Sequence, residues 1–119
     1  MPYEIKPLAC DPTVIKGMSE RLIVSHYQNN YGGAVQRLNA ITKELSELDF
    51  SSAPIFVING LKREELIAMN SMILHELYFD NLGAIQKGFA SAEGKAAAAD
   101  VQKFATGGVE MFLFDNREV

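Results

Sequence analysis

The sequence contains no tryptophan, a single cysteine and four prolines in 119 residues. A lone Cys10 cannot close an intramolecular disulfide, and without a CxxC partner it forms neither a redox motif nor a zinc knuckle; this cysteine usage fits the cytoplasm. Basic residues are few: 11 Lys and Arg stand against 15 Asp and Glu, a net charge of −4, with no Lys/Arg block. That removes the basic footprint expected of a nucleic-acid binder, and it disfavours anionic membrane surfaces in the same way. No stretch approaches the ~20 apolar residues of a membrane span, and Met1 to Asp11 holds no apolar run of signal-peptide length. Also absent are a GxSxG elbow and any internal repeat, while Gly32-Gly33 lies in helical sequence without a phosphate-loop lysine. One modest core is the expectation at this length, not two.

Helical spacing is the dominant pattern present. Pro2, Pro7 and Pro12 keep Met1 to Gly17 out of helix and predict an extended arm. Ser19 before Glu20 reads as an N-cap with an acidic first turn, and apolar residues continue through Leu22, Ile23, Val35, Leu38, Ile41, Leu45 and Leu48. Gly32 and Gly33 within that run predict one long kinked helix or two abutting ones. The breaker cluster Ser51 to Pro54 ends it, Ile55 to Ile58 is strand-like but isolated, and Asn59-Gly60 reads as a turn whose asparagine caps a second helix running to Gly83. A third helix is expected around Ala96 to Phe104, then an apolar, strand-like Val109 to Phe114. The fold class is therefore mainly α: a long antiparallel helical hairpin with a short C-terminal helix and strand, divided into a hairpin of residues 1–83 and a tail of residues 84–119. Two helices leave their outer apolar stripes uncovered, which predicts a homo-oligomer.

Candidate chemistry reduces to two histidines. At 100° per residue Leu22, His26 and Asn30 share one helix face, and Ala68, Met72, His75 and Phe79 share one on the second helix. Antiparallel packing brings both imidazoles into the interface at similar depth, where a bundle can hold a metal. By residue type alone, hydrogen-bonded core histidines are the favoured reading over ligands. Cys10 reads as an ordinary thiol and Glu64-Glu65 as solvated acids near a helix start.

The wording around the histidines narrows this. Tyr3-Glu4-Ile5-Lys6-Pro7-Leu8, Ser19-Glu20, Ser25-His26-Tyr27 and Val35-Gln36-Arg37-Leu38-Asn39 resemble the opening of iron/manganese superoxide dismutases. Met69 to Leu82, with His75 before Tyr78-Phe79 and Asn81-Leu82, resembles the family's second ligand segment. The resemblance spans about Tyr3 to Gly83. It implies an antiparallel hairpin in which His26 and His75 are the first two ligands of iron or manganese, with superoxide as substrate and oxygen and hydrogen peroxide as products. Two ligands at ~2.1 Å from one ion would stand roughly 3 to 4 Å apart, nitrogen to nitrogen.

Departures accompany the resemblance. Asn30 stands where the family usually has a histidine, Ala34 where it has a gateway tyrosine, and Phe79 where it has a tryptophan. Tyr27 and Tyr31 are the nearby hydroxyls that can stand behind the ligands. The family's Asp-x-x-x-His segment, source of the remaining two ligands, has no counterpart after His75. The tail reads either as a shortened dismutase second domain or, through Val101 to Glu118, as the opening of a rhodanese-like domain; both make the chain part of something longer. The expectations are an incomplete dismutase homologue with two of four ligands or, alternatively, a non-catalytic helical interaction and oligomerisation module.

Overall fold

The computed structural model describes residues 1–104 and arranges them as an arm and four α-helices. Helix α1 (Glu20–Ser25) passes through a π-helical turn (His26–Tyr31) directly into α2 (Gly32–Glu47); α3 (Ile55–Ala90) returns antiparallel, and α4 (Ala92–Phe104) follows. The mainly α hairpin expected from the spacing is the observed architecture, and the described residues contain no strand. The strand expected at Val109 to Phe114 lies outside the described residues. No helix among the described residues is long and apolar enough to cross a membrane.

Ser19 caps α1 as its position predicts, its hydroxyl accepting the Leu22 N–H at 3.1 Å. The irregularity expected at Gly32-Gly33 falls one turn earlier, as the π turn. Ile23, Tyr27, Tyr31 and Val35 are spaced four apart, and in an ideal α-helix such steps drift around the axis by about 40° each. The wider π turn absorbs that drift and keeps the row on the hairpin side, where Ile23, Tyr31 and Val35 are buried and Tyr27 half-buried. Leu38, Ile41 and Leu45 continue the row, and α3 answers with Ala68, Met72 and Phe79.

Two expectations about α3 are corrected. Ile55 to Ile58 form its first turn, not a strand, and Asn59-Gly60 lie inside it. A strand here would have no neighbour for its backbone groups, whereas a helix started after Pro54 satisfies them internally. Packing along the rest of the helix outweighs the roughly 1 kcal/mol that Gly60 costs in it. Nor does Gly83 end the helix, which continues to Ala90. Gly83 is buried for another reason: a Cβ there would stand 2.4 Å from the carbonyl oxygen of Ala9, so only glycine lets the arm lie flat on α3.

The arm is the third layer. Asn39 pairs with both backbone groups of Tyr3, accepting its N–H at 2.7 Å and donating to its carbonyl at 2.9 Å. Gln86 does the same for Asp11, at 2.8 and 3.2 Å. Between these ties Cys10 is buried in the core and Leu8 packs against it. Coverage stops at one flank of α3, where Ile67, Leu74, Tyr78, Ile85 and Phe89 are all at least 36% exposed.

A pair of facing imidazoles

His26 opens the π turn and His75 sits midway along α3, and the antiparallel hairpin brings them together. Their Nε2 atoms lie 2.9 Å apart, with ring centroids at 4.8 Å and planes nearly perpendicular. The separation is at the short edge of the expected range. Two nitrogens this far apart could both reach one ion at ~2.1 Å. Both histidines are half-buried.

The proton arrangement follows from the partners. His75 Nδ1 lies 2.6 Å from the Ser71 carbonyl oxygen, which can only accept, so Nδ1 carries the proton and donates. Its Nε2 lone pair then accepts the His26 Nε2–H, so in the metal-free pair the two imidazoles are hydrogen-bonded to each other, a proton standing where an ion would displace it. The Nδ1 contact is the arrangement in which histidine ligands are usually held, the far ring nitrogen tied to a carbonyl. Burial, and after it the neighbouring His75, push His26 below the ordinary imidazole value, which favours the neutral form that ligation needs. On the donor set the pair fits a metal, but no group of three or more His, Cys, Asp and Glu side chains gathers around a common point among the described residues.

Around the imidazoles stands an aromatic wall. Phe79 is buried with its ring 5.6 Å from His26, and Tyr78 lies 5.5 Å from it with its hydroxyl donating to the Met18 sulfur. Tyr27 and Tyr31 turn their hydroxyls to the arm: Tyr27 donates to the Lys6 carbonyl at 2.6 Å, and Tyr31 accepts the Lys6 N–H and donates to Glu76 Oε1, both at 2.9 Å. Lys6 Nζ completes the group on Glu76 Oε2 at 2.6 Å. Asn30 is exposed and Ala34 is part of the core.

Ser71, Glu76 and Lys6 are absent from the sequence-derived candidates. Ser71 carries a local signal, standing one helical turn before His75. Glu76 adjoins His75 in the chain, but its partner is 70 residues away and no spacing argument reaches it.

The fold and this pair define a helical hairpin with two imidazoles presented to a common point at mid-depth. The chain is 56% identical, over 91% of its length, to the iron superoxide dismutase of Cupriavidus metallidurans. It spans about 60% of that relative. The resemblance to the iron/manganese superoxide dismutases is borne out by this match, which covers more of the chain than Tyr3 to Gly83. A shorter stretch, 39% of the chain at 48% identity, matches an uncharacterized 11.0 kDa protein of Rhodococcus erythropolis from the thcB-thcC intergenic region. No family model matches the chain. No solved structure matches it.

Proposed function

We propose that this chain supplies the hairpin half of a metal centre of the superoxide dismutase kind, with His26 and His75 as two ligands of one iron or manganese ion. The observation that carries the reading is the 2.9 Å approach of the two Nε2 atoms while His75 Nδ1 is held by the Ser71 carbonyl. Iron is the metal in the name of the relative matched over nine-tenths of the chain. A bound redox metal would supply alternating one-electron oxidation and reduction of superoxide.

The chain's own residues provide orientation and shielding. Ser71 fixes the His75 tautomer, and Phe79 and Tyr78 limit water on the His26 side. Among the described residues no free carboxylate adjoins the pair, since the neighbouring Glu76 is taken up by Lys6 and Tyr31. Two neutral imidazoles also leave the metal's geometry loosely defined. Hence residues 1–83 act as a hairpin that presents ligands, and the tail of residues 84–119 reads as a continuation of the dismutase pattern. A cytoplasmic location follows from the cysteine usage. The exposed flank of α3 favours self-association as a companion property.

Elemental analysis and titration with Fe(II) or Mn(II) of the parent, His26→Ala and His75→Ala test the reading. Weak metal uptake lost in both variants is the expected result, with dismutation no faster than free aqueous metal once unbound ions are removed. Uptake unchanged by either substitution would overturn the site, and robust turnover abolished by either would overturn the expectation of an incomplete centre.

A further inference from the structure

We propose that Tyr31 is a positioning residue for His75, pinned by Glu76 and Lys6 so that its ring holds the imidazole in the orientation facing His26. The proposal rests on the reading of His75 as a ligand, but its geometry is independent of any metal. Tyr31 is 1% exposed, and a phenol so buried keeps a fixed place only if its hydroxyl is satisfied. Here both capacities of the hydroxyl are used, one on each side: it accepts from the arm at Lys6 N and donates to α3 at Glu76 Oε1. Lys6 Nζ holds the other oxygen of the same carboxylate, so arm, π turn and α3 close a ring of contacts with Tyr31 at its centre.

That ring bears on His75 in two ways. Glu76 is its chain neighbour, so the pin fixes the α3 backbone at the point from which the imidazole projects. The Tyr31 ring also lies close to parallel with the His75 ring, 25° between planes and 6.4 Å between centroids, and with Phe79 at the same distance it bounds the space in which the imidazole can turn. Ser71 holds Nδ1 but cannot by itself stop the ring from tilting about that bond. The π turn is what places position 31 here: in an uninterrupted α-helix Tyr31 would be carried round the axis from the row that starts at Ile23.

Three variants test the inference. Tyr31→Phe keeps the ring and removes the pin, Glu76→Ala removes the pin from the opposite side, and Glu76→Gln retains an oxygen that accepts from Tyr31. In the metal-free protein, ring-nitrogen NMR should show His75 as the Nδ1–H tautomer in the parent and in Glu76→Gln, and a mixture of tautomers in Tyr31→Phe and Glu76→Ala. Competition for Mn(II) against a chelator should show affinity lowered about tenfold in the two unpinned variants and little changed in Glu76→Gln, the scale usual for residues behind a ligand. A folded Tyr31→Phe, checked by circular dichroism, with parental tautomer and affinity would overturn the proposal. Should Tyr31→Phe not fold, Glu76→Ala decides by the same readouts. A parent that takes up no Mn(II) defeats the metal reading alone, because the tautomer measurement still tests whether Tyr31 positions His75.

Discussion

At the end of the hairpin that holds His26 and His75, the arm is tied to the helices by side chains 21 to 75 residues distant in sequence; at the other end the chain reverses on contacts two to four residues apart. There Asp49 accepts from the Ser51 N–H, the Ser51 hydroxyl and the Ser52 hydroxyl, while Phe50, Ile55 and Phe56 stay more than half exposed. A turn that only returns the chain is satisfied by local hydrogen bonds, each worth about 1 kcal/mol net. A pair of facing rings is held by arm, π turn and α3 together, and the long-range side-chain hydrogen bonds to the arm gather at that end.

The largest effect should come from the core that both ends share. Leu38 is fully buried midway between them, and Leu38→Ala should cost about 2–5 kcal/mol, the range for deleting a packed leucine. Urea unfolding followed by circular dichroism would check this. Loss of order only at the site end would break the picture of one continuous core.

A smaller effect separates the ends. Gly83→Ala sets a Cβ against the Ala9 carbonyl, and overpacking against backbone costs about 1–3 kcal/mol, partly offset by the ~1 kcal/mol that alanine gains over glycine in a helix. Gly60 is helical too, and a Cβ there would meet nothing within 4 Å, so Gly60→Ala should stabilise by up to about 1 kcal/mol. Opposite shifts in Tm are the expected outcome, with faster amide exchange at Lys6 and Asp11 in Gly83→Ala alone. Equal shifts in both variants would mean that the arm does not constrain α3.

The same contrast divides what the residue pattern reveals from what it does not. The Ser19 cap, the apolar row from Val35 to Leu45 and the matching depth of the two histidines are local or periodic properties, and all are legible from the residues alone. Gly32-Gly33 marks an irregularity but not its kind. The informative signal is the sustained four-residue spacing of Ile23, Tyr27, Tyr31 and Val35, which over three steps would drift by about 120° around an α-helix. Asn59-Gly60 misleads because turn propensity is worth about 1 kcal/mol and a 36-residue helix packed along the hairpin overrides it. Tyr31 is considered from sequence as a hydroxyl standing behind the ligands, but that its partners are Lys6 and Glu76 is decided by contacts 25 and 45 residues away.

The smallest effect belongs to the local end and is one of pH. Hydrogen bonds from Ser51 and Ser52 hold Asp49 below the ordinary carboxylate range. A carboxyl with a folded pKa below its unfolded one stabilises the fold at pH values above the unfolded pKa, and that contribution disappears as pH falls through the folded one. Asp49→Asn keeps an acceptor oxygen and removes the charge. Its urea midpoint should therefore lie slightly below the parent's at neutral pH, and the gap should close on acidification below pH ~4, where the unfolded carboxylate begins to take up protons. Asp49 is exposed, so the gap should also shrink in high salt as the charge-assisted part of these bonds is screened. A gap constant from neutral to strongly acid pH would show that the loop depends on the shape of the side chain and not on its charge, and would leave the reversal of the hairpin to backbone geometry around Leu48 and Pro54.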